Sequence, residues 1–144
     1  MDLSIILVNY NTCIDTLNCI ESIYNETKNI LFEIIIVDNN STDNSKDSIL
    51  SKYPNIIWID AGYNSGFARA NNMGLKLAKG AYALLLNTDT IVLQKALEKC
   101  YFLMLENKNV VGAGIQLLNI DKSNQFSGSK FVNGGLNTLL PLPY

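Results

Sequence analysis

Ala81-Tyr82-Ala83-Leu84-Leu85-Leu86-Asn87-Thr88-Asp89-Thr90 decides the fold. An apolar strand over Ala81 to Leu86 runs straight into an amide, a hydroxyl and a carboxylate. In open α/β sheets ligands bind at the carboxyl ends of the strands, so this pattern puts Asp89 at a ligand-binding rim. An earlier stretch does the same: Phe32 to Val37 ends in Asp38-Asn39-Asn40-Ser41-Thr42-Asp43. Two strands that each end in an acidic, amide-rich loop predict a site for a metal ion and a polar, phosphate-bearing ligand.

Outward from these strands, apolar runs alternate with amphipathic segments. Leu3 to Val8 is apolar apart from Ser4, as a strand buried on both faces requires. Thr12 can cap a helix over Cys13 to Tyr24 with Ile14, Leu17, Ile20 and Ile23 or Tyr24 along its apolar side. Asp43 is placed to cap a short helix that Pro54 stops after Tyr53. Ile56 to Ile59 reads as a third strand, Gly62 to Gly66 as a loop, and Phe67 to Lys79 as a helix closed by Gly80 at its C′ position. That helix carries Phe67, Ala70, Gly74, Leu77 and Ala78 on its apolar side. Leu93 to Leu105 reads as a further helix and Val110 to Leu117 as a fifth strand. This rhythm predicts a three-layer, Rossmann-like α/β domain with a mainly parallel sheet and right-handed crossovers. It covers residues 1–120 of a single domain over 1–144. From Asp121 the rhythm fails, and Gly128, Gly134, Gly135, Pro141 and Pro143 mark an irregular tail over 121–144.

Composition narrows the chemistry. The 144 residues suffice for one domain with a real core, and 48% hydrophobic with 17% charged residues is ordinary for a globular chain. A net charge of −2 with no polybasic patch gives no argument for a nucleic-acid partner. With no histidine present, Ser-His-Asp and Cys-His catalysis are excluded, as is imidazole ligation of zinc. Acid–base and metal chemistry must then come from carboxylates, hydroxyls and amides, and such oxygen ligands favour Mg²⁺ or Mn²⁺. Cys13, Cys19 and Cys100 fall in predicted helices without a CxxC pair and read as structural thiols. The Leu3–Val8 run has neither a basic n-region nor a cleavage site, and no apolar stretch reaches the ~20 residues of a membrane span. These features predict a cytoplasmic location.

A doubly wound sheet brings Asn9-Tyr10-Asn11, Asp38-Asn39-Asn40, the loop up to Asn64 and Asn87-Thr88-Asp89 to one rim. The amides of Asn9, Asn11 and Asn64 suit a base or ribose, and Asp38 suits a base N–H. Asp89 suits a divalent ion bridging two phosphates. Asp, Asn and Thr after strands are equally good turn formers and caps, and Asp43 and Thr90 read as caps rather than ligands. Asp38 and Asp89, taken singly, are open between the two roles; together on one rim they favour a site. No Gly-rich turn follows the first strand, so a dinucleotide fingerprint and a P-loop are both missing.

Ser4–Asn11, Ile36–Asp43, Asn64–Gly74 and Leu86–Asp89 occur in the order seen in family 2 glycosyltransferases, inverting enzymes of the GT-A fold. The chain resembles the rhamnosyltransferase-like branch of that family. The resemblance implies a nucleotide-sugar donor, UDP- or dTDP-linked, and a divalent metal, Mn or Mg. It implies that Asn9, Tyr10 and Asn11 line the base pocket and that Asp38 bonds the uracil or thymine ring. Asn64, Gly66 and Arg69 would lie near ribose and diphosphate, with Asn71 supporting their loop. Asn87-Thr88-Asp89 would be the DXD-like motif, Asn87 replacing its first carboxylate and Asp89 acting as the metal ligand.

The same resemblance implies an acceptor-binding half and a catalytic Asp or Glu well downstream of this motif. Tyr144 falls roughly where that half begins, and Asp121 is the only acidic residue after Glu106. No catalytic base is therefore assigned, and the glycan acceptor is not identified by the sequence. The full enzyme would work in the cytoplasm or at the cytoplasmic face of a membrane, as a peripheral protein. The alternative is a catalytically incompetent, truncated GT-A domain that acts by nucleotide binding or self-association, for example a homodimer through Leu139-Leu140-Pro141-Leu142.

Overall fold

The computed structural model describes residues 1–125. Strands β1 (Leu3–Asn9), β2 (Phe32–Asp38), β3 (Ile57–Asp60) and β4 (Tyr82–Leu86) alternate with helices α1 (Cys13–Glu26), α2 (Ser45–Lys52), α3 (Phe67–Leu75) and α4 (Ala96–Glu106). The strands form one parallel sheet in the order β3-β2-β1-β4. This is the expected Rossmann-like α/β architecture.

Register puts the site residues side by side. Asn9 pairs with Asp38, Asp38 with Asp60, and Leu7 with Leu86. Side chains alternate between the two faces of a strand, so Ile6 and Asn9 point to opposite sides. α3 packs against β1 and β2, with Gly74 close over Ile6 and Val37. Asn9 is bonded to Thr16 of α1. The two helices therefore cover opposite faces, and between them Ile5, Ile6, Leu7, Ile35, Ile36 and Val37 are wholly buried.

Several boundaries differ from the sequence reading, each for a local reason. On α1, Ile14 is exposed while Thr16, Cys19 and Ser22 are buried beside Ile20 and Ile23. The buried face is turned toward polar residues because they meet hydrogen-bonding groups at the strand ends. Thr12 stands at the N-cap position of α1 without a side-chain cap bond, since its hydroxyl is spent on Asn9. α3 stops at Leu75, and Phe67 and Leu77 of its expected apolar side are exposed. Gly80 serves close approach rather than capping: a Cβ there would lie 2.5 Å from the Ser4 backbone nitrogen. Ser4 Oγ accepts the Gly80 N–H at 2.8 Å, which draws the chain tightly into β4. α4 begins only at Ala96, after Gln94 and Lys95 adopt positive φ and the Lys95 N–H bonds Glu26 at 3.0 Å.

The expected fifth strand over Val110 to Leu117 does not form. Val110 and Val111 are exposed and have no ladder partner among the described residues, and an apolar run without a partner cannot satisfy its backbone as a strand. Met1–Ala113 is one compact unit, and a second begins at Gly114. In the latter, Leu118 bridges Asn124 antiparallel around a turn in which Asp121 accepts the Ser123 N–H at 2.9 Å. Gly128, Gly134, Gly135, Pro141, Pro143 and the Leu139–Leu142 segment lie outside the described residues.

Candidate functional site

The strand ends are tied together by side chains. Asn9 is fully buried, and its amide donates to Asp38 Oδ1 at 2.8 Å and to Ser41 Oγ at 3.0 Å. Its Oδ1 accepts from the hydroxyls of Thr12 at 3.0 Å and Thr16 at 2.9 Å. Both donor hydrogens and both acceptor positions of the amide are thus used inside the protein. Asn9 therefore acts by holding Asp38, and any contact to a base falls to its neighbours. Asp38 also accepts the Ser41 N–H at 2.8 Å through Oδ2. An ionised carboxylate has about four acceptor sites, so Asp38 keeps capacity for a ligand while its orientation is fixed from two sides.

Around this pair, Tyr10 and Asn11 are exposed at the rim, Asn11 with φ 55°. Asn11 Oδ1 accepts the Thr42 N–H at 2.8 Å, which pins the β1 loop to the β2 loop. The N-cap position of α2 is Asn44 rather than the expected Asp43, which stands one residue earlier and serves two helices. It accepts the Ser45 N–H at the start of α2 and the Cys13 N–H at the start of α1, both at 3.2 Å. Burial works to raise the Asp43 carboxyl, but the hydrogen bonds from Ser45 and Cys13 outweigh it and hold the group below its usual range.

On the other face, Asn39 links β2 to the loop before α3. Its Nδ2 donates to Asn64 Oδ1 at 3.0 Å, and its Oδ1 accepts the Ser65 N–H at 2.7 Å and the Ser65 hydroxyl at 2.9 Å. Asn64 Oδ1 also takes the Gly66 N–H at 3.1 Å. Gly66 sits at φ 77°, ψ 164°, a conformation open essentially to glycine alone. It opens α3 without a side-chain cap, and Arg69 is exposed in the first turn. Asn71 is buried, with Nδ2 on the Phe67 carbonyl at 3.0 Å, and so braces that turn.

After β4, Asn87 and Asp89 are exposed and Thr88 is buried. The Thr88 hydroxyl meets that of Thr12 at 3.3 Å, joining this turn to the Asn9 cluster. Thr90 closes the turn on the Asn87 carbonyl at 2.6 Å instead of capping a helix. Beneath it, burial pushes the Cys19 thiol up to about 11 against the pull of its Thr90 contact, and the nearby Asp89 charge adds to the rise. Cys19 therefore keeps its proton as a donor. No group of three or more Asp, Glu, Cys or His stands together among the described residues. A lone exposed carboxylate beside a diphosphate fits Mg²⁺ or Mn²⁺, which take one or two carboxylates and complete their shell with phosphate oxygens and water.

Asn9, Asp38, Asn64, Gly66, Thr88 and Asp89 thus lie on connected strand-end loops. The residues that do the connecting are Asn39, Ser41, Thr12, Thr16 and Ser65; the sequence places Asn39 on the rim and Thr12 at a cap but gives none of the five its linking role. The one available signal was Thr12 and Thr16, four residues apart and so on one face of α1.

Residues 4–141 match the family described as glycosyl transferase family 2. The chain belongs to that family. Among its relatives, the poly(ribitol-phosphate) beta-glucosyltransferase of Bacillus spizizenii is 34% identical over 119 residues, 79% of this chain and 19% of that protein. Among solved structures, Staphylococcus aureus TarS 1-349 in complex with UDP is 25% identical with a TM-score of 0.66, covering 75% of this chain and 33% of that one. The mannosyltransferase PcManGT of Pyrobaculum calidifontis, in complex with GDP-Man and Mn²⁺, shares the fold at 21% identity and a TM-score of 0.59 over 65% of this chain and 29% of that one. The chain thus spans well under half the length of each.

Proposed function

We propose that this chain supplies the donor-binding portion of a glycosyltransferase that moves a sugar from a nucleotide diphosphate sugar to a glycan acceptor, with inversion and with Mn²⁺ or Mg²⁺ assistance. The observation that carries this reading is the Asp38 carboxylate, 7% exposed, fixed by Asn9 and Ser41 at the carboxyl edge of the sheet. A fixed acceptor at that edge suits the N–H of a uracil or thymine ring. Tyr10 and Asn11 flank the base. Asn64, Gly66 and Arg69 face the ribose and diphosphate, where the uncapped N–H groups of α3 and the guanidinium favour negative charge. Asn87 and Thr88 carry the turn that presents Asp89, which would hold the ion; the ion would neutralise charge on the departing diphosphate.

The motifs resemble the rhamnosyltransferase-like branch, whereas the relative and the neighbour above carry glucosyl transfer and UDP in their descriptions. A UDP-linked hexose is therefore favoured over a dTDP-linked sugar. Inverting transfer also needs a carboxylate to take the proton from the acceptor hydroxyl. That base is assigned to an acceptor-binding half that follows the DXD-like turn in the family architecture. Work in the cytoplasm, at the membrane face where glycan acceptors are built, completes the reading.

Calorimetric titration of UDP, dTDP and GDP, first with Mn²⁺ and then with EDTA, tests it. UDP is expected to bind in a metal-dependent manner. Asp38→Ala should weaken binding about 10- to 100-fold, as the loss of a hydrogen bond to a charged group implies. Asp89→Ala should abolish the metal dependence and spare the metal-free part. A folded chain that binds no nucleotide would instead be a non-catalytic relative acting by association.

A further inference from the structure

α1 carries a polar stripe that the donor-site reading leaves unexplained. Thr12, Thr16, Cys19 and Ser22 recur at spacings of three and four and therefore share one helix face. Thr16, Cys19 and Ser22 are buried, where apolar side chains would pack at lower cost. Each has a partner outside the helix. Thr12 and Thr16 hold Asn9 Oδ1. Thr12 also meets Thr88 at 3.3 Å. The Cys19 thiol lies 3.7 Å from the Asn87 carbonyl oxygen and 3.8 Å from Thr90 Oγ1. Ser22 Oγ accepts the Val92 N–H at 2.9 Å while donating to the Cys19 carbonyl at 2.7 Å.

The chain leaving β4 is therefore fastened to α1 at Asn87, Thr88, Thr90 and Val92, on both sides of Asp89. β4 pairs with β1, but among the described residues it is the outermost strand, and Ala83 and Leu85 are exposed. Side-chain packing on the strand itself therefore holds the turn less firmly than these hydrogen bonds do. We propose that Thr12, Cys19 and Ser22 are positioning residues that set the Asp89 carboxylate against the nucleotide pocket, with Thr12 linking the metal-binding turn to Asn9 and hence to Asp38. This rests on the donor-site reading. On that basis the ion and the base are registered to one another through a single helix rather than through the sheet.

The test separates positioning from stability. UDP affinity is measured with EDTA and with Mn²⁺, and the ratio of the two is the metal-linked gain. Cys19→Ala and Ser22→Ala are each expected to cut that gain roughly three- to tenfold, the scale of one lost hydrogen bond, with metal-free affinity unchanged. Cys19→Ser, which keeps a donor, should recover most of it. Thr12→Val should reduce both numbers, because Thr12 touches both clusters. A purely structural stripe would lower the urea midpoint while leaving the gain at its wild-type value in every folded variant, and that result overturns the proposal. A wild-type chain without any metal-linked gain would overturn the donor-site reading as well. A wild-type gain retained in full by Cys19→Ala and Ser22→Ala would overturn only the positioning role.

Discussion

β2 and β4 look alike as sequence and differ as structure. Each is apolar and each leads into a loop with an aspartate that belongs to the proposed donor site. β2 lies between β1 and β3, and Ile34 through Asp38 are buried. Among the described residues β4 is the outermost strand, its residues alternate between half-buried and exposed, and Leu85 is 48% exposed. The aspartates inherit the difference. Asp38 is buried and held by two hydrogen bonds, whereas Asp89 is exposed on a turn held only through its neighbours. A site can thus join a rigid acceptor to a carboxylate that is set by what surrounds it, provided another element carries the registration. In the proposed site that element is α1.

The widest gap is expected in stability. Ile36, wholly buried in β2, should lose about 3 kcal/mol on truncation to alanine, within the usual range for a packed core. Leu85→Ala should lose less than about 1 kcal/mol, since half of its surface is already in water. Urea unfolding of both variants measures the difference. Equal losses would mean that β4 is as well covered in solution as β2, and the comparison would collapse.

The second contrast concerns the polar groups. Asn9→Ala leaves Asp38 Oδ1 and the Thr12 and Thr16 hydroxyls without their shared partner, so a loss of about 2 kcal/mol is expected. Asp89→Ala should change unfolding by no more than ~0.5 kcal/mol, as for an exposed surface position. The same urea curves serve. If Asp89→Ala proved the more destabilising, the exposed carboxylate would have to be part of the folded framework.

The pattern of strands and helices was legible because hydrophobic period and capping chemistry are local. The rim was legible because a parallel sheet gathers all its carboxyl ends at one edge. What stayed hidden depends on pairing, which no local pattern records. Phe32–Val37 and Ala81–Leu86 do not say which is central and which is an edge. Val110 to Leu117 has the composition of a strand, but composition does not provide a neighbour. On α1, apolarity alone selects a face that includes Ile14 and passes over Thr16. The face actually buried is decided by Asn9, Asn87 and Val92, whose polar groups need partners. Gly80 was legible as a stop and not as a close contact with Ser4, since only the folded chain brings those backbones together.

The smallest expected effect concerns the far end of the fastening between the two regions. Glu98 on α4 is buried and accepts the Lys28 N–H, the Asn29 N–H at 2.7 Å and the Asn29 side-chain amide at 2.8 Å. The Asn29 side chain and then the backbone N–H groups of Asn29 and Lys28 hold its carboxyl below the usual range. A depressed carboxyl stabilises the fold at every pH above the unfolded value of about 4.3, and that contribution disappears as pH falls through the folded value. Glu98→Gln removes the charge while keeping the size. The variant should be less stable than wild type at neutral pH, and the two should converge as the medium is acidified below about pH 4, near the free carboxyl value. Urea midpoints across pH 3 to 7, a range spanning that value, measure the convergence. A gap that stayed constant with pH would show that the acceptor oxygen lost in Gln, rather than the charge, fastens α4 to the α1–β2 connection. Metal-free nucleotide binding should survive the substitution, because Glu98 holds the chain beyond the turn and not the Asn9–Asp38 pair.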